Sequence, residues 1–346
     1  MRTRYMAAVT TFFLLVSCFS YAQDDSPVTS LNEINTAVAK ISQKYLAYMS
    51  AVAHNNNKAK KAEKKRDELL EQIIDSRADV MGVPGYKGDK SLKEATLEYL
   101  KITSDVMNEK YEKVVNMEAI AEQSYDNMEA YLLMQKAISD KIEEANEFRR
   151  KKTEEYCKKY NITLVDSKDE LSDKLKTLNE VHDYENTVYL IFFKCSAQED
   201  QLMEALKKKN ITAIEQTKNA MSGYADEGLA KLDTLKAYKS DPLLKNSCRS
   251  ALEFFKKEAE KFSVLTDFFM KEEAFNQVRK NFENNPSAKN DKAEIDKYNK
   301  AVNEINVSSK QYNQTNQSLN ETRKRVYDNW NNAVTTYLDR NVPYAK

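Results

Sequence analysis

Residues 31–52 read LNEINTAVAKISQKYLAYMSAV, and the places of their apolar side chains decide the fold class. Leu31, Ile34, Val38, Ile41, Tyr45, Tyr48 and Val52 follow one another at alternate steps of three and four. Such steps line up one narrow seam on an α-helix, the pattern that packs knobs into holes in a coiled coil. Ser30, with Glu33 three residues on, predicts a capping box at the helix start. Five glycines and five prolines in 346 residues leave little material for β-turns, and Gly82, Gly85 and Gly88 share one loop. The expectation is an all-α fold.

The seam breaks at His54-Asn55-Asn56-Asn57 and resumes in a second helix carrying Leu69, Leu70, Ile73, Ile74 and Val80. A third helix is predicted from Ser91 to about Ala121, and a fourth from Ser124 to Tyr160. Thr163–Asp169 lacks the seam and reads as a linker between a first unit, residues 23–162, and a second, residues 170–346. In the second unit one helix carries Leu171, Leu175, Leu178, Val188 and Cys195, and the next runs from about Ile211 to Tyr238. Another begins near Pro242, where a missing N–H costs nothing. Asn284-Asn285-Pro286-Ser287 marks a loop, and a last helix runs from about Asp291 to Arg340. The predicted architecture is two tandem elongated helical bundles with coiled-coil-like heptad packing.

The two units echo one another. Tyr86-Lys87-Gly88-Asp89 precedes Leu92-Lys93 as Tyr238-Lys239-Ser240-Asp241 precedes Leu244-Lys245, and 238 − 86 and 244 − 92 both give 152. Upstream, Tyr45 to Met49 echoes Tyr189 to Phe193 at an offset of 144; downstream, Tyr131, Ile138, Ala145 and Tyr156 match Tyr312, Leu319, Val326 and Tyr337 at 181. The second unit thus gains eight residues near Lys207–Ile214 and 181 − 152 = 29 more between about Met270 and Lys297. Asp89 and Asp241 read as turn or cap residues, with Tyr86 and Tyr238 packing on the helix ends.

Residues 1–22 read as a secretory signal: Arg2 and Arg4, an apolar stretch from Met6 to Val16, and Ser20-Tyr21-Ala22 before the cleavage point. Leu15-Val16-Ser17-Cys18 also fits a lipobox, in which Cys18 is lipidated and anchors the chain. Both readings lead to an exported protein, in the cell envelope (periplasm or outer surface) or secreted. Removing residues 1–22 takes two arginines from 54 basic residues and leaves 52 against 54 acidic ones. That balance excludes a dedicated nucleic-acid binder. The remaining cysteines, Cys157, Cys195 and Cys248, are odd in number; Cys195 and Cys248 suit small buried hydrophobes, a disulfide between them being the alternative.

Catalytic patterns are missing from the sequence. There is no Gly-x-Ser-x-Gly, no Gly-rich phosphate loop before a helix and no Glu-x-x-His pair, and the two histidines, His54 and His182, lack ligand spacing. The expectation is a non-enzyme with no cofactor and no metal.

The last helix carries the strongest local pattern. Tyr298, Ile305, Tyr312, Leu319, Val326 and Ala333 recur every seven residues, with Val302, Ser309, Asn316, Arg323, Trp330 and Tyr337 as the other half of the seam. Beside them Asn299, Asn306, Asn313 and Asn320 form a row, again every seven. Asparagine is a poor helix former, so four in register call for an explanation. They are candidate binding residues for a protein or surface polymer; the plainer reading is packing and solubility, with Asn316 fixing register. Asn306, Asn313 and Asn320 also head Asn-x-Ser/Thr triplets, poor acceptors inside a helix. Asn316, Arg323 and Trp330, set together on the seam among many tyrosines, support an alternative, a periplasmic small-ligand-binding bundle. The basic run from Lys58 to Arg66 supports another, a peripheral lipid-interacting lipoprotein. Long heptad seams leave self-association open.

The Tyr-Lys-x-Asp-x-x-Leu-Lys turn, the Tyr298-Asn299 start and the Trp330, Tyr337, Val342-Pro343 ending together resemble a family of exported helical surface proteins and lipoproteins of spirochaetes and the Bacteroides–Flavobacterium group. The resemblance would cover most of Asn32–Pro343 and implies an all-helical envelope or surface protein without an established activity. It transfers no catalytic residue.

Overall fold

The computed structural model describes residues 26–54, 59–106, 124–164 and 170–345. The expected signal peptide, Cys18, Lys58, most of the expected linker and the stretch of the expected third helix towards Ala121 lie outside the described residues. Every long element described is helical: α1 Pro27–His54, α2 Ala59–Gly82, α3 Ser91–Asp105, α4 Tyr125–Lys159, α5 Glu170–Lys207, α6 Ile211–Thr234, α7 Leu243–Asn284 and α8 Lys292–Asn341. The fold class is all-α.

The α1 seam is buried as its spacing requires: Leu31, Ile34, Val38, Ile41, Tyr45 and Tyr48 are all within the core. The cap differs from the expected Ser30–Glu33 box. Ser26 Oγ accepts from the Thr29 N–H (3.3 Å), Pro27 takes the first helical position, and Ser30 Oγ instead donates to the Pro84 carbonyl (3.3 Å). Pro27 is suited to that position because its missing N–H has no partner there. In α2, Leu69, Ile73 and Val80 face inward, whereas Ile74 is 62% exposed. Adjacent residues lie about 100° apart on a helix, and the rotation of α2 gives Ile73 the inward side. Ser76 takes the next inward place, its hydroxyl donating to the Ala37 carbonyl of α1 (2.8 Å).

The two Tyr-Lys-x-Asp segments form the same turn. Lys87 and Gly88 have φ of 49° and 80°, and Lys239 and Ser240 have φ of 45° and 65°. In each the aspartate N–H returns to the tyrosine carbonyl, Asp89 to Tyr86 at 2.9 Å and Asp241 to Tyr238 at 2.8 Å. Each aspartate then accepts the N–H two residues on, from Ser91 at 3.0 Å and Leu243 at 2.9 Å. Lys93 reaches back to the Met81 and Val83 carbonyls, and Lys245 to that of Leu235. Left-handed backbone on two successive residues is the geometry of a tight reversing turn, and Gly88 meets that demand without strain.

The chain divides into two compact units, one holding the described residues up to Asn186 with Thr335–Ala345, the other Thr187–Val334. The division falls inside α5 and α8 rather than at Thr163–Asp169, of which only Thr163 and Leu164 are described. The first turns of α5 belong to the first unit because Leu175, Leu178 and Val181 are buried there, and the Tyr337 hydroxyl donates to the Val181 carbonyl (3.3 Å). In the second unit a Cβ at Gly228 would stand 2.8 Å from Leu252 Cδ1 and 3.0 Å from Ile191 Cγ2. The missing side chain lets α6 lie close against α5 and α7. Cys195 and Cys248 are free buried thiols, and burial holds the Cys195 thiol up at about 12.

Beyond Phe269 the second unit thins to a two-helix arm. Between Met270 and Val307 the one buried side chain is Ala288. Phe268, Phe275 and Phe282, seven residues apart on α7, meet the heptad row of α8. Phe282 stacks on Tyr298 with centroids 4.6 Å apart, Phe275 approaches the same ring at 6.2 Å, and Phe268 meets Tyr312 at 4.7 Å. The 3-10 turn Pro286–Asn290 joins them, capped by Asn285 Oδ1 on the Ser287 N–H (3.2 Å). Apart from this turn, residues 270–297 belong mostly to α7 and α8.

Candidate functional site

The strict seven-residue row of α8 lies on its outer face. Asn299, Asn306, Asn313 and Asn320 are all exposed, as are Asn303, Lys310, Gln317 and Lys324 between them. Steps of four and three put these eight side chains on one stripe from Asn299 to Lys324, ~38 Å long at 1.5 Å per residue. It holds six amides, two lysines and no carboxylate. Gln317 Nε2 donates to Glu321 Oε1 on its flank (2.9 Å). Tyr298 and Tyr312, each one residue before a stripe asparagine and so about 100° round the helix from it, turn towards α7, so the stripe runs beside the seam.

Asn316 is half-buried. The other two seam residues singled out by sequence go inside. The Arg323 guanidinium donates through Nε to Glu199, through Nη2 to Glu258 and through Nη1 to the Asn320 amide oxygen. Glu199 and Glu258 are 1% and 0% exposed. The Tyr327 hydroxyl completes the group, donating to Glu199 Oε2 at 2.6 Å. Burial, then the charge of Glu199, pushes the Glu258 carboxyl up to about 9 despite the nearby Arg323. The same burial and carboxylate raise the Tyr327 phenol far above its ordinary value. Burial and the neighbouring carboxylate thus favour the neutral form of Glu258, while the Arg323 guanidinium opposes them.

Trp330 is 1% exposed and lies flat on Phe192, centroids 4.2 Å apart with an 11° interplanar angle. Phe192 also touches Phe255 (6.0 Å) and Tyr327 (5.8 Å). Arg323 and Trp330 are thus occupied by internal partners. The Arg323–Asn320 hydrogen bond joins the stripe to the interior.

Sequence reading missed Glu199, Glu258 and Tyr327. A signal for two of them exists: Glu258 stands three after Phe255 and four before Phe262, and Glu199 four after Cys195 and three before Leu202. A carboxylate at a seam position on each of two helices is the counterpart that a seam arginine needs.

The basic run is partly neutralised. Lys65 and Lys44 both reach Glu68 Oε2, at 2.9 and 3.1 Å, and Arg66 stands 3.8 Å from Asp67. Among the described residues no cluster of three or more metal-ligating side chains is present, and no helix is long and apolar enough to cross a membrane.

Fold and site together define an all-α protein with heptad-packed helices, a two-helix arm and an amide stripe along α8. Comparison with family models, curated proteins and solved structures finds no match to this chain.

Proposed function

We propose that this chain is a non-enzymatic exported protein of the cell envelope or surface that binds another protein or a surface polymer through the outer face of α8. The observation that carries the reading is the exposed stripe from Asn299 to Lys324, uniform in chemistry and free of carboxylates. Other described helix faces pair both charge signs, for example at Lys40–Asp79, Lys152–Glu155 and Lys256–Asp226, as solvated faces do. A face from which one sign is missing and amides dominate is set apart from that background. The signal-like N-terminus, the matched turns at Tyr86 and Tyr238 and the resemblance to exported helical surface proteins support export and a duplicated scaffold.

The test is a photo-crosslinking amino acid placed at Asn313 in the intact source cells, with Glu253, exposed on α7, as control. Adducts at Asn313 and not at Glu253 are expected. Equal labelling at both positions, or none at Asn313, sinks the reading. Intact mass of the isolated protein distinguishes a chain beginning at Gln23 from one acylated at Cys18, and so a released protein from an anchored one.

A further inference from the structure

We propose that the amide stripe of α8 is a self-association surface, along which α8 of one chain pairs with α8 of a second copy. This rests on the binding-face reading above and names its partner. Its first support is the period. Asn299, Asn306, Asn313 and Asn320 recur every seven residues outside the seam that α8 shares with α7. On a straight helix such a row drifts by about 20° per heptad; it stays in line along a supercoiled one. Another helix can follow that line over three heptads, whereas a sugar chain or an irregular loop has no 3.5-residue repeat to match.

The second support is chemical. A primary amide is both donor and acceptor, so a row of amides is complementary to itself. A two-fold axis sets the same patch against itself and requires that property. The third is charge. Between Ile305 and Asn320 the one charged residue is Lys310, in a chain of which 31% is charged. Two copies therefore meet there with little like-charge repulsion and without burying a carboxylate. Val307, 59% exposed one position from Asn306, adds apolar contact at the edge.

Geometry also limits the strength. A strip ~32 Å long and ~10 Å wide on each copy gives roughly 600 Å² in total, half of the ~1,200 Å² at which stable interfaces begin. The pairing is accordingly weak and reversible, with a Kd in the range from about 1 μM to about 1 mM.

Sedimentation velocity of the full exported chain, from about 10 μM to about 1 mM, tests it on the wild type and on N306D/N313D. Both substituted positions are exposed, and circular dichroism verifies that the helices persist. The wild type is expected to shift from one chain towards two as concentration rises. The aspartate variant, which sets four new negative charges across the axis, is expected to associate at least ten-fold more weakly. A wild type that stays monomeric throughout, or a dimer that the aspartates leave intact, overturns the proposal. If the wild type is monomeric while Asn313 still cross-links to a different molecule in cells, self-association falls and the binding face stands. Loss of both removes the binding face as well.

Discussion

Arg323 and Glu258 are joined in the interior of the second unit, the guanidinium donating to a carboxyl that is 0% exposed. The same guanidinium holds Glu199, 1% exposed, so one cation serves two buried acids. Breaking such a group by removing one partner is costly because the others remain buried without compensation. Arg323→Ala is expected to lower stability by about 3–5 kcal/mol, read as a shift in the urea midpoint. Tyr327→Phe, which removes the hydroxyl donated to Glu199, is expected to cost less, about 1.5–3 kcal/mol. An Arg323→Ala variant as stable as the wild type would dismiss this arrangement.

The raised value of Glu258 has a consequence in pH. The unfolded carboxyl loses its proton near 4.5, whereas the folded one keeps it to about 9 because of burial and the charge of Glu199. The folded state therefore binds more protons between those values, and stability falls as pH rises through that window. The contribution is fully present below 4.5 and lost by about 9. Glu258→Gln removes the titration, so its urea midpoint is expected to vary less between pH 5 and 9 than that of the wild type. Equal slopes for the two proteins would show that Glu258 titrates normally.

The matched turns allow a reciprocal exchange. Gly88 and Ser240 occupy the same position, both with positive φ, and a Cβ at Gly88 would meet nothing within 4 Å. The cost of a side chain there is consequently conformational alone. Gly88→Ser is expected to destabilise by about 1 kcal/mol and Ser240→Gly to stabilise by a similar amount. Thermal midpoints moving in the same direction for both would separate the two turns.

Trp330 is the one tryptophan of the chain, and its ring lies on Phe192. Intrinsic fluorescence is thereby a reporter of the second unit. Phe192→Ala is expected to red-shift the emission and to cost about 3–5 kcal/mol through the cavity it leaves. An unshifted emission maximum would place the indole elsewhere.

The helices were legible wherever spacing alone decides burial. Six of the seven seam residues of α1 are buried, and the expected last helix, Asp291 to Arg340, is found as Lys292–Asn341. Doubled apolar residues were not legible: Ile73-Ile74 offers two rotations of one helix, and packing against α1 chose Ile73. The Arg323 cluster was half legible. An arginine on the seam is visible in sequence, but among many glutamates the two that face it depend on the rotation of α5 and α7. For the arm, the sequence shows a turn at Asn284–Ser287 between two helices. Their helical continuation was hidden because Asn284-Asn285-Pro286 marks a turn without showing how far the flanking helices run beyond the bundle.

The asparagine row makes stability and binding move in opposite directions. Asn306 and Asn313 are exposed in the middle of α8, where asparagine is a weaker helix former than alanine by about 0.6 kcal/mol. If the row served only solubility, Asn306→Ala and Asn313→Ala would raise the melting temperature and change nothing else. If it is a binding face, the same substitutions raise stability by about 0.5 kcal/mol each while the Asn313-region adducts in cells and the concentration-dependent mass in solution both decline. Asn320 is set apart from this pair because its amide oxygen accepts from Arg323. Asn320→Ala is therefore expected to lose the stability gain that its neighbours show, since it withdraws an acceptor from the guanidinium. Melting curves of the three single variants, measured beside sedimentation of the Asn306→Ala/Asn313→Ala pair, resolve the two roles. A pair that is more stable and associates as the wild type does would assign the row to solubility.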